Sequence, residues 1–281
     1  MCTCDYAVDP AARGHGLRLK VAAVGRAALS FSTSSNASAG TVLRALGGAS
    51  VDAARDTFVF PLRIGAFLAG RMPAVHARGI GAVADRVVAA GRAVGARPRR
   101  GTEIRGISEF GPEFDRLWDR VAARHAVQVV RDAAYLQWRY RRCPYGSPWA
   151  AAVVRDDEVR GLVVVGTATS SDVSARPTAG LLELFDDGVV PGARRALLAA
   201  GMRYAAGTGA EVMAARAGDP ALARLLRTAG FRVRRRDSSP VTYRAGEADL
   251  EPFLATDHGW HLSFGDGDAW DRVELGAEVA R

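Results

Sequence analysis

One stretch near the start of the chain, residues 5–48, restricts the fold more than any other. A short apolar run at residues 6–8 ends at Asp9-Pro10, and a loop, Arg13-Gly14-His15-Gly16, follows soon after. Apolar residues at helical spacing begin directly after the loop, which predicts a strand, a glycine turn and a helix. The first turn of a helix leaves backbone N–H groups unpaired, and glycines let a phosphate approach them. The turn therefore suits a pyrophosphate, although Arg-Gly-x-Gly also occurs as an ordinary turn before a helix.

A second strand and helix follow the loop and narrow the interpretation. Residues 29–33 are predicted to form a second short strand, Asn36 stands just past its end, and a helical pattern from residue 37 ends at Gly47-Gly48. Glycine commonly ends a helix because it adopts the left-handed backbone at little cost. The series strand, Arg-Gly-x-Gly, helix, strand, Asn, helix, Gly resembles the acetyl-CoA-binding core of the GCN5-related N-acetyltransferase (GNAT) family.

The resemblance implies a fold, a co-substrate and a binding loop. The implied fold is α/β, with a mixed twisted sheet flanked by helices and two parallel strands that separate so that acetyl-CoA inserts between them. By resemblance, Asn36 would bind the pantetheine arm of the CoA. The loop residues that would bind its pyrophosphate are Arg13, Gly14, His15 and Gly16. Further cofactor contacts are expected from Val8, Leu17 and Arg18.

Two positions depart from the family pattern. Arg18 stands where the family usually has Gly or Ala, and Leu43 stands where its helix commonly carries a tyrosine that serves as general acid. Leu226 occupies the corresponding place later in the chain. A tyrosine from elsewhere, or solvent, then has to protonate the leaving thiolate.

The same order of elements recurs after residue 101. The segment from Asp219 to Gly230 has the same length as the segment from Asn36 to Gly47, which supports an internal duplication. We therefore predict a tandem protein in which the last two strands of each unit pair as a hairpin. The predicted parts are a partial first unit at 1–64, a helical linker at 65–100, a second unit at 101–246 and a tail at 247–281.

The second unit differs from the first at its turn, residues 186–193. Asp186 and Asp187 stand where the first loop has an arginine, and Pro191 removes a backbone donor. Because carboxylates repel a pyrophosphate, we expect the second unit to bind CoA poorly or not at all, and to form a wall of the acceptor site.

The family builds three strands and two helices before the cofactor strand, and here Met1 lies only a few residues ahead of it. Either the start lies inside a longer gene, or the rest of the chain or a second chain, as in a homodimer, supplies the missing half-sheet. Two unpaired parallel strands would be marginally stable alone.

Acyl transfer to an amine needs a base, and carboxylates are the candidates. Asp5 lies on the first cofactor strand and Glu183 on the equivalent strand of the second unit, inside an apolar run. A carboxylate there is either functional, paired with an arginine or on the solvent side. Three aromatic residues, Tyr135, Trp138 and Tyr140, line a cleft or pack in the core. In the tail, Asp266 and Asp268 either bind a cationic acceptor or form an ordinary turn.

The composition argues against other classes of function, such as nucleic-acid binding. The net charge is +8, but Lys20 is the only lysine, which favours a GC-rich coding bias over nucleic-acid binding. Cys2, Cys4 and Cys143 fit a reducing compartment, and their spacing does not indicate zinc. We find no apolar run long enough to span a bilayer and expect a cytoplasmic protein without a metal.

Two functions compete on these grounds. The first is an acetyl-CoA-dependent N-acetyltransferase that acts on a small-molecule amine, such as an amino sugar or a specialised metabolite. The second is a non-catalytic GNAT-like scaffold or acyl-CoA-binding protein. A nucleic-acid partner is a distant third and a membrane partner is not expected.

Overall fold

The computed structural model describes residues 18, 21–22, 25–33, 37–51, 56–65, 101–143, 148–168, 177–236, 241–254 and 259–267. Its strands are β1 Leu29–Ser32, β2 Ala49–Val51, β3 Asp56–Pro61, β4 Thr102–Gly106, β5 Val127–Gln128, β6 Trp149–Arg155, β7 Glu158–Ala168, β8 Thr178–Asp186, β9 Val212–Arg216, β10 Arg232–Arg236, β11 Val241–Ala245 and β12 Trp260–His261. Its α-helices are α1 Ala37–Ala45, α2 Pro112–Val121, α3 Ala133–Tyr140, α4 Ala193–Gly207, α5 Pro220–Thr228 and α6 Glu251–Leu254.

Within the described residues, seven strands form one mixed sheet in the order β10-β3-β9-β8-β7-β6-β4. β8 and β9 run parallel, and the other neighbouring pairs are antiparallel. The β6–β7 hairpin turns at Asp156-Asp157, both at positive φ.

Helices cover both faces of this sheet. Successive residues of a strand point to opposite faces, so β7 contributes to two cores. Leu162 and Val164 pack in the cluster that contains α2 and α3 residues. Val163 and Val165 pack in the cluster that contains α4 and α5 residues. The predicted α/β fold, a mixed sheet flanked by helices, is confirmed.

Two strands are exchanged between this sheet and a small one. β3 lies in the large sheet between β9 and β10, whereas β11 lies between β1 and β2 in a three-stranded sheet. Both exchanged strands run antiparallel to their neighbours. The predicted strands are therefore present, but the prediction that β2 pairs with β3 and β10 with β11 was wrong. Strand patterns identify strands, but here they did not identify which antiparallel partner each strand would take.

The exchange joins the two predicted units. The later part of the chain supplies β11 to the sheet of β1 and β2, where it takes the place predicted for β3. In addition, a guanidinium nitrogen of Arg216, at the end of β9, donates to the carbonyl oxygen of Thr33 at 2.9 Å. The domain boundaries at residues 64 and 246 stay a prediction, and neither boundary separates one sheet from the other.

Two segments of the chain repeat each other in spacing and helix ending. β2 begins 20 residues after β1, and β10 begins 20 residues after β9. The helices between them, α1 and α5, end at left-handed glycines, Gly47 at φ 81° and Gly230 at φ 94°. The amide after each glycine donates to the carbonyl of a buried leucine, Leu43 in α1 and Leu226 in α5.

In the part of the chain that the structure describes, no helix is both long and apolar enough to cross a bilayer.

Candidate functional site

The parallel pair β8 and β9 separates part-way along, at the place where the family resemblance predicts an opening. The two strands pair only over residues 178–181 of β8 and 212–215 of β9. Residues 182–186 of β8 continue the strand but do not pair with β9. A gap opens between the carboxyl ends of the strands, in the position that the family uses for pantetheine.

The tail of the chain fills this gap. We call residues 260–266 the plug. The amide of Gly218, just past β9, donates to the carbonyl oxygen of Leu262 at 3.0 Å. On the β8 side, a Cβ added to Gly265 would stand only 2.9 Å from the carbonyl oxygen of Leu182. A pantetheine arm cannot enter the gap while the plug lies between the two strands.

Packing and strand pairing anchor the plug. Phe264 is 3% exposed and belongs to the core cluster of the α2 and α3 face. The Arg216 guanidinium lies over its ring, 5.3 Å from the centroid. At the start of the plug, Trp260 and His261 form β12, which pairs in parallel with β5.

Arg131 joins the plug to the sheet through two carboxylates. Its Nε donates to Glu183 on β8 at 2.8 Å, and its Nη2 donates to both oxygens of Asp266 at 2.8 Å. The three side chains are at most 1% exposed. Burial lowers the pKa of Arg131, but Asp266 and Glu183 outweigh burial and raise the pKa above its ordinary value, so Arg131 stays charged.

Glu183, a predicted catalytic base, is occupied on both oxygens. Oε2 accepts from Arg131, and Oε1 accepts the hydroxyl of Tyr140 at 2.8 Å. Burial raises the pKa of Glu183, and Arg131 opposes that rise. The side chain is 0% exposed. The pairing with an arginine, one of the alternatives for this residue, is what the structure shows, and a catalytic role stays a prediction.

The other predicted site residues of the second unit are divided between core and surface. Tyr140 is fully buried, whereas Trp138 is 60% exposed. Burial raises the pKa of Tyr135. Asp266 binds Arg131 and accepts the Ser263 amide at 2.7 Å, which closes the turn of the plug. Its partner in the prediction, Asp268, lies outside the described residues.

The acidic turn of the second unit is neutralised by arginines. Asp187 lies 3.1 Å from Arg120 and 3.2 Å from Arg160. Arg124 donates to the backbone carbonyls of both Asp186 and Asp187. Guanidinium groups from other elements therefore occupy the mouth of this turn.

The same turn uses one of its own amides internally. The Asp187 carboxylate accepts the amide of Val189 at 3.1 Å. Asp186 pairs with Arg194 of the first turn of α4 at 2.9 Å. The arginines pair the two carboxylates that were expected to repel a pyrophosphate, so poor CoA binding by the second unit stays a prediction.

The predicted loop of the first unit lies outside the described residues. Those positions are Asp5, Val8, Arg13, Gly14, His15, Gly16, Leu17 and Asn36. Arg18 has a helical backbone and an exposed side chain, as do Val21 and Ala22 in the helix predicted after the loop. The strand and helix that follow, β1 and α1, lie where the sequence predicts them.

A small cleft lies beside the plug, lined by residues that the sequence analysis did not select. Its cavity volume is about 20 Å³, and its lining includes Trp118, His125, Arg194 and His261. The rings of His125 and His261 stack with centroids 4.8 Å apart. No local spacing connects these two residues, because the fold alone brings β12 next to β5.

No protein-family model and no curated protein sequence matches the chain. Solved structures do match its fold, among them the two that follow. One is a protein of Enterococcus faecalis V583 described as a conserved protein of unknown function and probable N-acyltransferase, with 15% identity, a TM-score of 0.52, and coverage of 88% of this chain and 54% of that one. The other is a GCN5-related N-acetyltransferase from Anabaena variabilis ATCC 29413, with 11% identity, a TM-score of 0.55, and coverage of 86% and 53%.

These likenesses establish a GNAT-like fold for the chain. The chain spans about half the length of each of these structures.

Proposed function

We propose that the chain is an N-acyltransferase that moves an acetyl or other acyl group from acetyl-CoA to the amine of a small molecule, such as an amino sugar or a specialised metabolite. The observation that carries the proposal is the repeat of β9, α5 and β10, which belong to the GNAT-like arrangement, by β1, α1 and β2, which follow the predicted glycine loop. In the family that the chain resembles, a loop at that place binds acyl-CoA.

The proposal further divides the chain into two GNAT-like units. Support comes from the equal spacing of β1 to β2 and β9 to β10, from the matching helix ends at Gly47 and Gly230, and from the reciprocal exchange of β3 and β11. Since the plug fills the gap in the second unit, acetyl-CoA binds in the first. The residues that we propose for it are Val8, Arg13, Gly14, His15, Gly16, Leu17, Arg18 and Asn36.

The chemistry needs a neutral amine, hydrogen-bond donors for the tetrahedral oxyanion and a proton for the leaving thiolate. Asp5, on the predicted cofactor strand, is the base that we propose. Glu183 is the weaker candidate, because it has no exposed surface and both its oxygens accept hydrogen bonds from protein groups. Its contacts suit a residue that holds the plug.

A second candidate function is an acyl-CoA-binding scaffold without turnover. Two observations favour it: the plug closes one gap, and Leu43 and Leu226 stand buried where the family carries its tyrosine acid. A scaffold would bind CoA and leave the thioester intact.

Thioester cleavage distinguishes the transferase from the scaffold. Free thiol release from acetyl-CoA would be followed with a panel of small amines for three proteins: wild type, Gly16→Asp and Val189→Asp. Both variants add one carboxylate to a turn, but only the first changes the proposed CoA loop. Amine-dependent cleavage that is lost in Gly16→Asp and kept in Val189→Asp supports the transferase. CoA binding without cleavage supports the scaffold, and no binding overturns both.

A further inference from the structure

Three side chains from separate segments meet beside the plug. His125 follows the 3-10 turn after α2, Asp219 caps the N-terminus of α5, and His261 lies in β12. Each offers an atom able to bind a metal, and these atoms lie within 4.8 Å of one another. Two imidazoles and a carboxylate at this separation are a potential chelating set.

One ring nitrogen of His261 lacks a partner among the described residues. This nitrogen, Nδ1, is buried and has no hydrogen bond to any of them. The His261 side chain is only 4% exposed. Buried polar atoms are nearly always paired, so a water or an ion is expected at this nitrogen. A cleft of about 20 Å³ that both histidines line, though Asp219 does not, has room for one water or ion.

We propose that His125, Asp219 and His261 bind one divalent transition-metal ion, with zinc the best match. Two nitrogens and one oxygen leave a fourth position open, and nitrogen ligands disfavour magnesium and calcium. In a tetrahedral zinc site the ligand atoms lie roughly 3.3 Å apart. Binding therefore has to draw together atoms that are now within 4.8 Å. It also has to rotate the stacked rings of His125 and His261, whose planes meet at 25°, so that their lone pairs point at one ion. The expectation of a protein without a metal rested on the cysteines.

Three arginines line this cleft and oppose a cation, and each has other partners. Arg131 pairs with Glu183 and Asp266, and Arg124 donates to the carbonyls of Asp186 and Asp187. The third, Arg194, contacts Asp219 but has a second partner. Its Nη1 lies 3.3 Å from Oδ2 of Asp219, whereas its Nε and Nη2 contact Oδ1 of Asp186 at 3.0 and 2.9 Å. When Oδ2 of Asp219 binds a metal, Arg194 keeps the shorter contacts to Asp186. The other oxygen of Asp219 continues to cap α5 through the Ala221 amide at 2.8 Å.

The metal would fasten the plug to the second unit. His261 belongs to the plug, whereas His125 and Asp219 lie on either side of the gap, after α2 and after β9. Zinc is therefore expected to raise the thermal unfolding temperature, and a chelator is expected to lower it.

Zinc affinity tests the proposal in a background without thiols, made by Cys2→Ser, Cys4→Ser and Cys143→Ser, and without a histidine tag. Competition with a chromophoric chelator should show one zinc per chain. His125→Ala and His261→Ala should each weaken binding about tenfold or more. Asp219→Asn should weaken it too, while Asp132→Asn, which changes the matching cap of α3, should not.

Cobalt provides a readout that does not depend on activity. Co²⁺ bound by nitrogen and oxygen ligands in a tetrahedral site gives strong visible absorption, which should disappear in each ligand variant. If His261→Ala fails to fold, two other variants still test the zinc site. His125→Ala changes a half-buried side chain, and Asp219→Asn preserves the helix cap. Equal zinc affinity in wild type and these variants, or no zinc bound by wild type, overturns the proposal.

Discussion

The segments at residues 29–51 and 212–236 have the same strand spacing and the same helix endings, yet their surroundings differ. The second segment lies in the large sheet, where the plug fills the gap between the parallel strands β8 and β9. The turn before this segment, residues 186–193, carries two aspartates that are paired with arginines. The loop before the first segment carries Arg13 and glycines in place of those aspartates.

We propose that the second unit has lost its ligand and kept its fold. Leu262 accepts the Gly218 amide, and Phe264 occupies apolar space near the gap. Arg124 and Arg194 contact the acidic turn. These contacts come from the chain itself, in place of those that we propose a CoA molecule makes in the first unit.

The strand exchange gives the largest expected effect. A protease site inserted between residues 66 and 100 should yield two fragments that stay together on native size-exclusion chromatography, because β3 and β11 each lie in the other fragment's sheet. A matched cut after residue 267 should release only the end of the chain. Separation of the two large fragments without denaturant would contradict the exchanged arrangement.

Replacement of Arg131 should cause the next largest effect. Arg131→Met leaves Glu183 and Asp266 buried without a cation, at a cost of about 3–5 kcal/mol in the free energy of unfolding. Urea denaturation measures this loss. Arg105→Met, which breaks the exposed pair with Glu103, is the control and should change nothing measurable. Equal stability of the two variants would show that the plug does not depend on Arg131.

Adding a methyl group to the plug should reduce the free energy of unfolding by less than the replacement of Arg131 does. In Gly265→Ala the new Cβ would collide with the Tyr140 hydroxyl and stand 2.7 Å from Glu183. We expect a loss of about 1–3 kcal/mol in denaturant titrations. Gly207→Ala, at the end of α4 with open space around it, is the matched control and should be neutral or slightly stabilising. If Gly265→Ala is equally neutral, the plug is looser than the structure shows.

Glu183→Gln should give the smallest change in stability. Glutamine keeps one acceptor oxygen, but its amide nitrogen replaces the other oxygen and cannot accept a hydrogen bond from Arg131 or Tyr140, so we expect a loss of about 1–2 kcal/mol. A parallel assay of acyl transfer separates the two roles of this residue. Activity that falls in proportion to the folded fraction indicates a structural role, whereas lost activity in a fully folded variant indicates the catalytic base.

The pH dependence of the same variant has a defined sign. Since burial raises the folded-state pKa of Glu183 above its ordinary 4.5, its contribution to stability is full below pH 4.5 and is lost as pH rises through the raised value. Glutamine has no such proton. The stability of Glu183→Gln relative to wild type should therefore improve as pH rises above 4.5. Denaturation series at several pH values test this, and an opposite slope would contradict it.

The sequence predicted most elements because their signals are local. Asp132 belongs to a residue type that favours helix N-caps and caps α3, and the glycines at 47 and 230 end their helices. The strand exchange escaped prediction because β3 and β11 carry no local signal that selects their partners. The plug escaped it because Gly265-Asp266-Gly267-Asp268 reads as a turn, and its partners Arg131 and Glu183 are distant in sequence.

The number of CoA molecules bound per chain tests the central claim most directly. Isothermal titration of CoA into wild type and Val189→Asp should give one site per chain, and titration into Gly16→Asp should give none. Two sites in wild type, or one site that survives in Gly16→Asp, would contradict an account in which the first unit binds the cofactor and the plug closes the second.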